Sequence, residues 1–276
     1  MESPVASGTM SSVMRRIALI SDIHGNLAAL QAVLEDITSQ AVDDLYCLGD
    51  VVGYGPEPAI CMARVMAAVA SGHTIMGNHD NAVIHEPIGF NRSARQAALW
   101  TRQEVRAGPL RLFGGKRRRW NWLRSLPSTL TVDDALLVHA SPRHHLEEYI
   151  LEEHTHGISF TGEDPNLLLE ENFALVEKIC FIGHTHRPGV VTGDDYAWHS
   201  LADCDLEWAV DERKVIVNVG SVGQPRDGDP RACYAIYDGQ RVVWRRVEYD
   251  AERTRQLIYA NPHLDNRLGD RLLEGR

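Results

Sequence analysis

The sequence predicts a layered α/β fold, and two observations carry that reading. Apolar runs of about four residues, too short for helices, alternate with segments whose apolar residues recur every three or four positions. Several of the short runs also end abruptly in Asp, His or Asn with glycine alongside, the pattern of strand ends facing a cleft. A chain of 276 residues is long enough for one large domain of this class or two small ones.

The first run, Ile17 to Ile20, reads as a buried strand, and Leu27, Leu30, Leu34 and Ile37 then mark one face of a helix. The pair repeats, with Leu45 to Leu48 as a strand and Pro58 to Ala70 as a helix that opens on proline. His73 to Met76 is expected to be a third strand. This alternation argues βαβ winding in at least the first half. Residues 91–126 change character, with Trp100, Trp120 and Trp122 among many arginines, and are expected to form a small helical insertion or cap. Strands resume at Thr129 to Val132 and Ala135 to Val138, with Asp133-Asp134 as a hairpin turn. A helix over Leu167 to Glu177 leads to a strand at Cys180 to Ile182. The last third is β-rich, at Val190 to Thr192, Val215 to Val219, Ala232 to Tyr237 and Val242 to Val247, with Asp238-Gly239 turning between the final two. A helix near Glu252 to Tyr259 closes the domain. The expected boundaries are a flexible leader over residues 1–15, one domain over 16–262 and a polar tail over 263–276.

Composition excludes several classes. The net charge of −10 disfavours indiscriminate duplex binding, which runs on phosphate neutralisation. Five widely spaced cysteines without a Cys-x-x-Cys pair indicate neither a disulfide framework nor a thiolate zinc knuckle, and suit a reducing compartment. No apolar run reaches the ~20 residues of a membrane span. The Ser-rich start lacks the apolar core of a signal peptide, so a cytoplasmic location is expected.

Five strand ends carry the chemistry. They are Ser21-Asp22-Ile23-His24-Gly25-Asn26, Gly49-Asp50, Gly77-Asn78-His79-Asp80, His139, and Gly183-His184-Thr185-His186. Any one of them alone is ordinary turn or cap chemistry. Five in this order, each after an apolar run, predict convergence on one cleft. Imidazole and carboxylate without thiolate is a donor set for Mn, Fe or Zn. Asp22, His24, Asp50, Asn78, His139, His184 and His186 outnumber the ligands one ion can hold, so a dinuclear centre sharing one carboxylate is the economical reading. Two divalent ions about 3.5–4 Å apart would lower the pKa of a shared water.

This set of motifs resembles the calcineurin-like metallophosphoesterase superfamily. The likeness spans Arg16 to about Tyr249, and the stretches Asp22 to Asn26, Gly49 to Pro56 and Asn218 to Arg226 are similar to its prokaryotic branch of YfcE-like and archaeal phosphoesterases. The resemblance implies a four-layer αββα sandwich, two mixed sheets flanked by helices. It implies one ion on Asp22, His24 and His186, another on Asn78, His139 and His184, and Asp50 bridging both. It makes His79 a catalytic residue that steadies phosphate oxygens or protonates the leaving group. The expected activity is hydrolysis of small phosphomonoesters or diesters by a metal-bridging hydroxide, with manganese the first choice among Mn, Fe, Ni and Zn.

Departures from the family narrow the substrate. Protein Ser/Thr phosphatases of the superfamily carry Asp-Arg-Gly after the bridging Asp, where this chain has Gly53-Tyr54-Gly55, and Asp80 replaces their Glu. Arg226 is a candidate stand-in for the missing phosphate-binding arginine, a surface turn being its competing role. Tyr54 is a candidate to stack on a substrate base or aryl group, against a plain packing role. His144, His145, His154 and His156 read as loop or surface residues. The basic run from Arg111 through Lys116, Arg117, Arg118 and Arg119 reads as a solvated helix face. In the alternative function, hydrolysis of diadenosine polyphosphates, that run would grip the extra phosphates. A metal-holding regulator without turnover is the reading from another class.

Overall fold

The computed structural model describes residues 15–108 and 114–276. The leader expected over residues 1–15 falls outside that range except for Arg15, and Arg111 of the basic run also lies outside it. In chain order the elements begin with β1 (Ile17–Ile20), α1 (Leu27–Thr38), β2 (Asp44–Cys47), α2 (Pro58–Ala68), α3 (Asn78–Ile84), α4 (Arg92–Val105) and α5 (Gly115–Arg124). The middle of the chain forms β3 (Thr129–Val132), β4 (Ala135–Val138), α6 (Glu152–Thr155), α7 (Pro165–Ala174) and β5 (Ile179–Ile182). It ends with β6 (Gly189–Thr192), β7 (Trp198–Ser200), β8 (Glu207–Ala209), β9 (Val215–Asn218), β10 (Ala232–Tyr237), β11 (Arg241–Val247), α8 (Ala251–Tyr259) and α9 (Arg267–Glu274).

Two mixed sheets result. One runs β2-β1-β10-β11-β8 and the other β3-β4-β5-β9-β6-β7. Parallel pairs, β1 with β2, β4 with β5 and β5 with β9, bring the carboxyl ends of the motif-bearing strands to one rim. The period-2 alternation of the strands sorts their side chains into layers. Ile17, Leu19, Leu137, Phe181, Val217 and Trp244 fill the space between the sheets. Ala18, Ile20, Tyr234 and Ile236 face outward onto α1, α2 and α5. Val138, Cys180, Ile182 and Ile216 face outward on the other side onto α7. The architecture is the αββα sandwich, and its central strands β1, β5, β6, β9 and β10 are buried on both faces, which is why they read as apolar runs.

The sequence did not mark helices α3 and α6, and the expected elements differ from the observed ones elsewhere too. His73 to Met76 does not form a strand. Thr74 makes one parallel bridge to Cys47, and Met76 then turns its amide to the carbonyl of Pro127, 2.7 Å away, which ends the pairing. The sheets also carry edge strands β7 and β8, each three residues long and too short for alternation to show. The expected polar tail at 263–276 is instead the helix α9, because Leu268 and Leu272, one turn apart, dock with Leu264 and Ile258 against Tyr54. The described residues of 91–126 include α4 and α5, and α5 buries its own Trp120 and Leu123. No helix among the described residues is long and apolar enough to cross a membrane.

Asn26 caps α1 by accepting from the amide of Ala29 at 3.2 Å, while its amide group donates to the carbonyl of Gly223 at 2.9 Å. It thereby ties the loop after β1 to the loop after β9. At the other end of α1, Asp36 accepts from the hydroxyl of Tyr234 at 2.6 Å and from the guanidinium of Arg245 at 2.8 Å. The Arg245 hydrogen bond, with that of Tyr234 behind it, holds the Asp36 carboxyl below the usual range against the effect of its burial. A carboxyl whose pKa is depressed on folding stabilises above its unfolded value, near 3.8, and loses that contribution as pH falls through the folded value. Asp36→Asn is therefore expected to cost about 1 kcal/mol at pH 7, a drop of roughly 2–4 °C in Tm. The difference from the unaltered protein should shrink below pH 4, as thermal melts across pH will show.

Candidate metal centre

The site is built where four strands stop and where α3 begins. Asp22 follows β1, Asp50 follows β2, His139 follows β4, and His184 and His186 follow β5, so the first sheet supplies two of these residues and the second sheet three. Main-chain hydrogen bonds lace the loops together. The amide of Asp22 reaches the carbonyl of Gly49 at 3.1 Å, that of His24 reaches Asp50 at 2.9 Å, and that of Gly183 reaches His139 at 2.9 Å. From the far side, Val222 and Gly223 donate to Ser21 and Asp22, each at 2.9 Å.

Three imidazoles are fixed by carbonyl acceptors. The Nδ1 of His139 lies 2.8 Å from the carbonyl of Leu48, that of His24 3.2 Å from Val52, and that of His186 2.5 Å from Gln224. A carbonyl can only accept, so each ring when neutral carries its proton on Nδ1 and leaves Nε2 as a lone pair. These lone pairs converge. The Nε2 atoms of His24 and His186 are 3.1 Å apart, and Asp22 Oδ1 lies 3.2 Å from His186 Nε2. Asp50 Oδ2 stands 3.5 Å from His24 Nε2 and also 3.5 Å from His139 Nε2. Asn78 Oδ1 is 3.0 Å from His139 Nε2. Acceptors facing acceptors in a buried space call for a cation, and the buried Asp22 Oδ1 has no hydrogen-bond partner of its own. The donors fit divalent metal ions.

Ligand atoms of Asp22, His24 and His186 lie within 4.8 Å of one another, as do those of Asp22, Asp50 and His139. A third such group joins His24, Asp50 and His79, although the sequence did not mark His79 as a ligand. His184 belongs to none of these groups. Its ring centroid is 5.1 Å from that of His139, its Nε2 lies 3.3 Å from the carbonyl of Glu147, and its amide donates to Asp22 Oδ2 at 3.0 Å.

The backbone is strained where these residues sit. Asp22, His24, Asp50, His184 and His186 all adopt left-handed φ values between 49° and 63°. Such conformations persist in non-glycine residues only where the surroundings over-determine them, and they cluster at functional sites. Two glycines make room. A Cβ on Gly77 would run into Asp50 Oδ1, and one on Gly183 would strike Ser21 Oγ and Asp22 Oδ2.

Charge is distributed unevenly. Burial would raise both carboxyls, yet His186 beside Asp22 and His139 beside Asp50 hold them well below their ordinary values, as anions. Burial opposes charge on His139 too, but Asp50 lifts it to about 9, so its Nε2 takes up a proton at pH 7 unless a metal ion claims the lone pair. Burial pushes His24 and His186 down, His79 to about 4 and His184 to about 3, so these rings are neutral at pH 7. Burial, aided by Asp50, raises Asp80 to about 7. Asp80 does not touch His79. Its carboxyl accepts from the amides of Gly77, Val52 and Val51 at 3.1, 3.2 and 3.4 Å, clamping the two loops that carry Asp50 and Asn78.

His79 stands in an aromatic cage, with ring centroids 4.8 Å from His24, 4.3 Å from Tyr54 and 4.6 Å from Phe90, and its buried Nδ1 lacks a partner. Tyr54 is a packed residue, 9% exposed, between His24 and α9. Arg226 lies over the Tyr54 ring at 5.7 Å, and its amide is bonded to the carbonyl of His186. A cavity of about 250 Å³ opens over Asn78, His79 and His184, walled by Phe90 and Tyr149. Phe90 and Tyr149 follow no motif, so no residue pattern signals their position. None of Lys116, Arg117, Arg118 and Arg119 lines that cavity, and Lys116 Nζ instead donates to the carbonyl of Gln103. His144, His145 and His154 line a larger cavity of about 740 Å³ beyond Tyr149, and His154 is buried, contrary to its reading as a surface residue. His156 is exposed as expected.

Over residues 14–241 the chain matches the calcineurin-like phosphoesterase superfamily domain. The protein belongs to that superfamily. This calcineurin-like phosphoesterase is 32% identical over 273 residues to an uncharacterized protein of Methanocaldococcus jannaschii, a match that covers 96% of this chain and all of that one. A solved metallophosphoesterase from Sphaerobacter thermophilus is 36% identical, with a TM-score of 0.76 over 95% of this chain and 100% of that one. A symmetrical bis(5'-nucleosyl)-tetraphosphatase of Acidovorax ebreus is 30% identical over 160 residues, 56% of this chain and 52% of that one, so the likeness spans about half of each. Members of the family are metal-dependent hydrolases of phosphate esters, and this phosphoesterase is one of them.

Gly77→Ala tests how tightly the rim is packed. The added methyl must displace the Asp50 carboxyl, and a shift of about 1 Å in a catalytic group costs about 10²-fold in rate. Phosphate-ester turnover is expected to fall by about that factor while circular dichroism still reports the native fold.

Proposed function

We propose that this phosphoesterase hydrolyses small phosphomonoesters or diesters at a dinuclear centre. One ion would be held by Asp22, His24 and His186, the other by Asn78, His139 and His184, and Asp50 would serve both. The observation that carries the reading is the single oxygen Asp50 Oδ2, equidistant at 3.5 Å from imidazole nitrogens of the two sets. When bound, a pair of divalent ions supplies an activated water and neutralises phosphate oxygens. Manganese is the proposed native metal, since imidazole with carboxylate and amide oxygen suits it.

The chain's own groups then have distinct tasks. The Leu48, Val52 and Gln224 carbonyls keep the Nε2 atoms of His139, His24 and His186 free to ligate. His79, neutral at pH 7, keeps one N–H that can hydrogen-bond a phosphoryl oxygen, and it would protonate the departing oxygen of the ester only as the imidazolium. An arriving phosphate anion raises the affinity of that ring for a second proton. Arg226 holds a non-bridging oxygen, and the Tyr54 ring under it sets the height of its guanidinium. No Ser or Cys nucleophile takes part. The thiols of Cys47, Cys61, Cys180 and Cys233 are buried, none of them lines the cavity over the centre, and all five cysteines are free, which supports a reducing, cytoplasmic setting.

A second reading, hydrolysis of dinucleoside polyphosphates, is favoured by the likeness to the tetraphosphatase of Acidovorax ebreus, which extends over about half of each chain. Rates on bis-p-nitrophenyl phosphate, p-nitrophenyl phosphate and diadenosine tetraphosphate separate the two.

Metal analysis of the purified protein is expected to give two ions per chain, and a single ion would overturn the dinuclear assignment. A chelator should abolish turnover and added Mn²⁺ should restore it. Asp50→Asn is expected to lose both ions. His79→Ala should keep them while kcat falls by about 10²–10⁴-fold.

A further inference from the structure

Glu147 and Tyr149 wall two cavities at once, the one of about 250 Å³ over the candidate centre and the one of about 740 Å³ beside it. Their stretch of chain is held against the centre. The Tyr149 ring centroid lies 4.1 Å from that of His184, and the Glu147 carbonyl lies 3.3 Å from His184 Nε2. The larger cavity therefore begins one side chain away from a proposed metal ligand. Its volume suits a bound organic group, whereas the smaller cavity falls below the range of about 300–1,000 Å³ usual for a small-molecule site.

The walls of the larger cavity decide what it can hold. Leu146, Leu151, Phe160 and Leu168 give it an apolar lining, and the His154 imidazole stands beside the Phe160 ring at 6.2 Å between centroids. Arg143 supplies the only guanidinium or ammonium group of that lining, and its charge is met by Glu148 at 2.6 Å, Glu163 at 2.7 Å and Glu171. Glu147 adds a further carboxylate. Such a wall repels a second phosphate and favours an uncharged apolar group. Phe160 is 64% exposed there, so an occupant covers apolar surface that otherwise faces water.

The smaller cavity has two aromatic walls, and they attend different histidines. Phe90 packs on His79, and Tyr149 packs on His184. In the proposed reaction His79 meets the departing oxygen, so the group that departs lies toward Phe90. The group that stays on phosphorus then lies toward Tyr149, at the border of the larger cavity.

We infer that the larger cavity is the receptor for the organic group that stays on phosphorus, an uncharged apolar group about the size of an aromatic ring, and that Phe160 is its specificity-determining residue. The inference rests on the proposed reaction at the adjoining centre. It makes the substrate a diester, since a monoester has no second group to place. One water adds its oxygen to phosphorus as the bond to the departing oxygen breaks. One proton of that water ends on the departing alcohol, and the retained group leaves as a phosphomonoester that carries the other.

Three substrates with one leaving group test the receptor: p-nitrophenyl phosphate, methyl p-nitrophenyl phosphate and phenyl p-nitrophenyl phosphate. Relative to their rates in alkaline solution, the phenyl diester is expected to exceed the methyl diester at least tenfold in kcat/KM, and to exceed the monoester. Phe160→Ala should lower the phenyl-to-methyl ratio at least threefold with the methyl diester unaffected, and Phe160→Leu should keep most of the preference. Because Phe160 is exposed, both variants are expected to melt as the unaltered protein does. A phenyl-to-methyl ratio near one overturns the inference, as does an unchanged ratio in Phe160→Ala or an equal loss on both diesters. Calorimetric titration of the metal-loaded protein with methyl phenyl phosphate and dimethyl phosphate reads the cavity without turnover, and the same tenfold preference and the same response to Phe160→Ala are expected. Absent release of nitrophenolate from all three substrates would count against the proposed reaction, and the binding ratio would still judge the cavity.

Discussion

The three hydrogen bonds from imidazole Nδ1 to the carbonyls of Leu48, Val52 and Gln224 fix which nitrogen of each ring carries the proton. Without them, His139, His24 and His186 could present an N–H inward, and the inner space would hold donors instead of lone pairs. The carbonyls stay in place because they belong to loops laced to one another by main-chain bonds and anchored on strands of both sheets. The polar character of the cleft is thus set by main-chain positions as much as by side-chain identity.

That arrangement is costly. Five non-glycine residues sit at left-handed φ, each at about 1–3 kcal/mol, and two anionic carboxylates are almost wholly removed from water. Apolar layers on three levels, between the sheets and outside each, offset the cost. Asp80 adds a local brace, because three amides from two loops close on one carboxyl. Nothing in this brace requires contact with His79, which leaves that ring held by Tyr54, Phe90 and His24 alone.

The strands of the sandwich were legible because burial on both faces leaves continuous apolar runs such as Ile17 to Ile20 and Ile179 to Ile182. Strands β7 and β8 were not, since three residues give no period. The seven expected ligands could be named because each follows an apolar run, and the structure gathers them on one rim. Their left-handed backbone leaves no trace in residue type. Helix α9 was hidden by its surface, with two leucines at i and i+4 among charged neighbours reading as a tail. His154 misled in the opposite direction, since a histidine in a polar stretch gives no sign that α6 turns it inward.

Asp22 and Asp50 hang from one sheet, and His139, His184 and His186 hang from the other. An occupant of the rim is therefore gripped from both halves of the sandwich at once and finds no equivalent grip on either half by itself. Any free energy of binding there is added to the cohesion between the halves, by mass action, so the cleft works as a rivet as well as a reaction vessel.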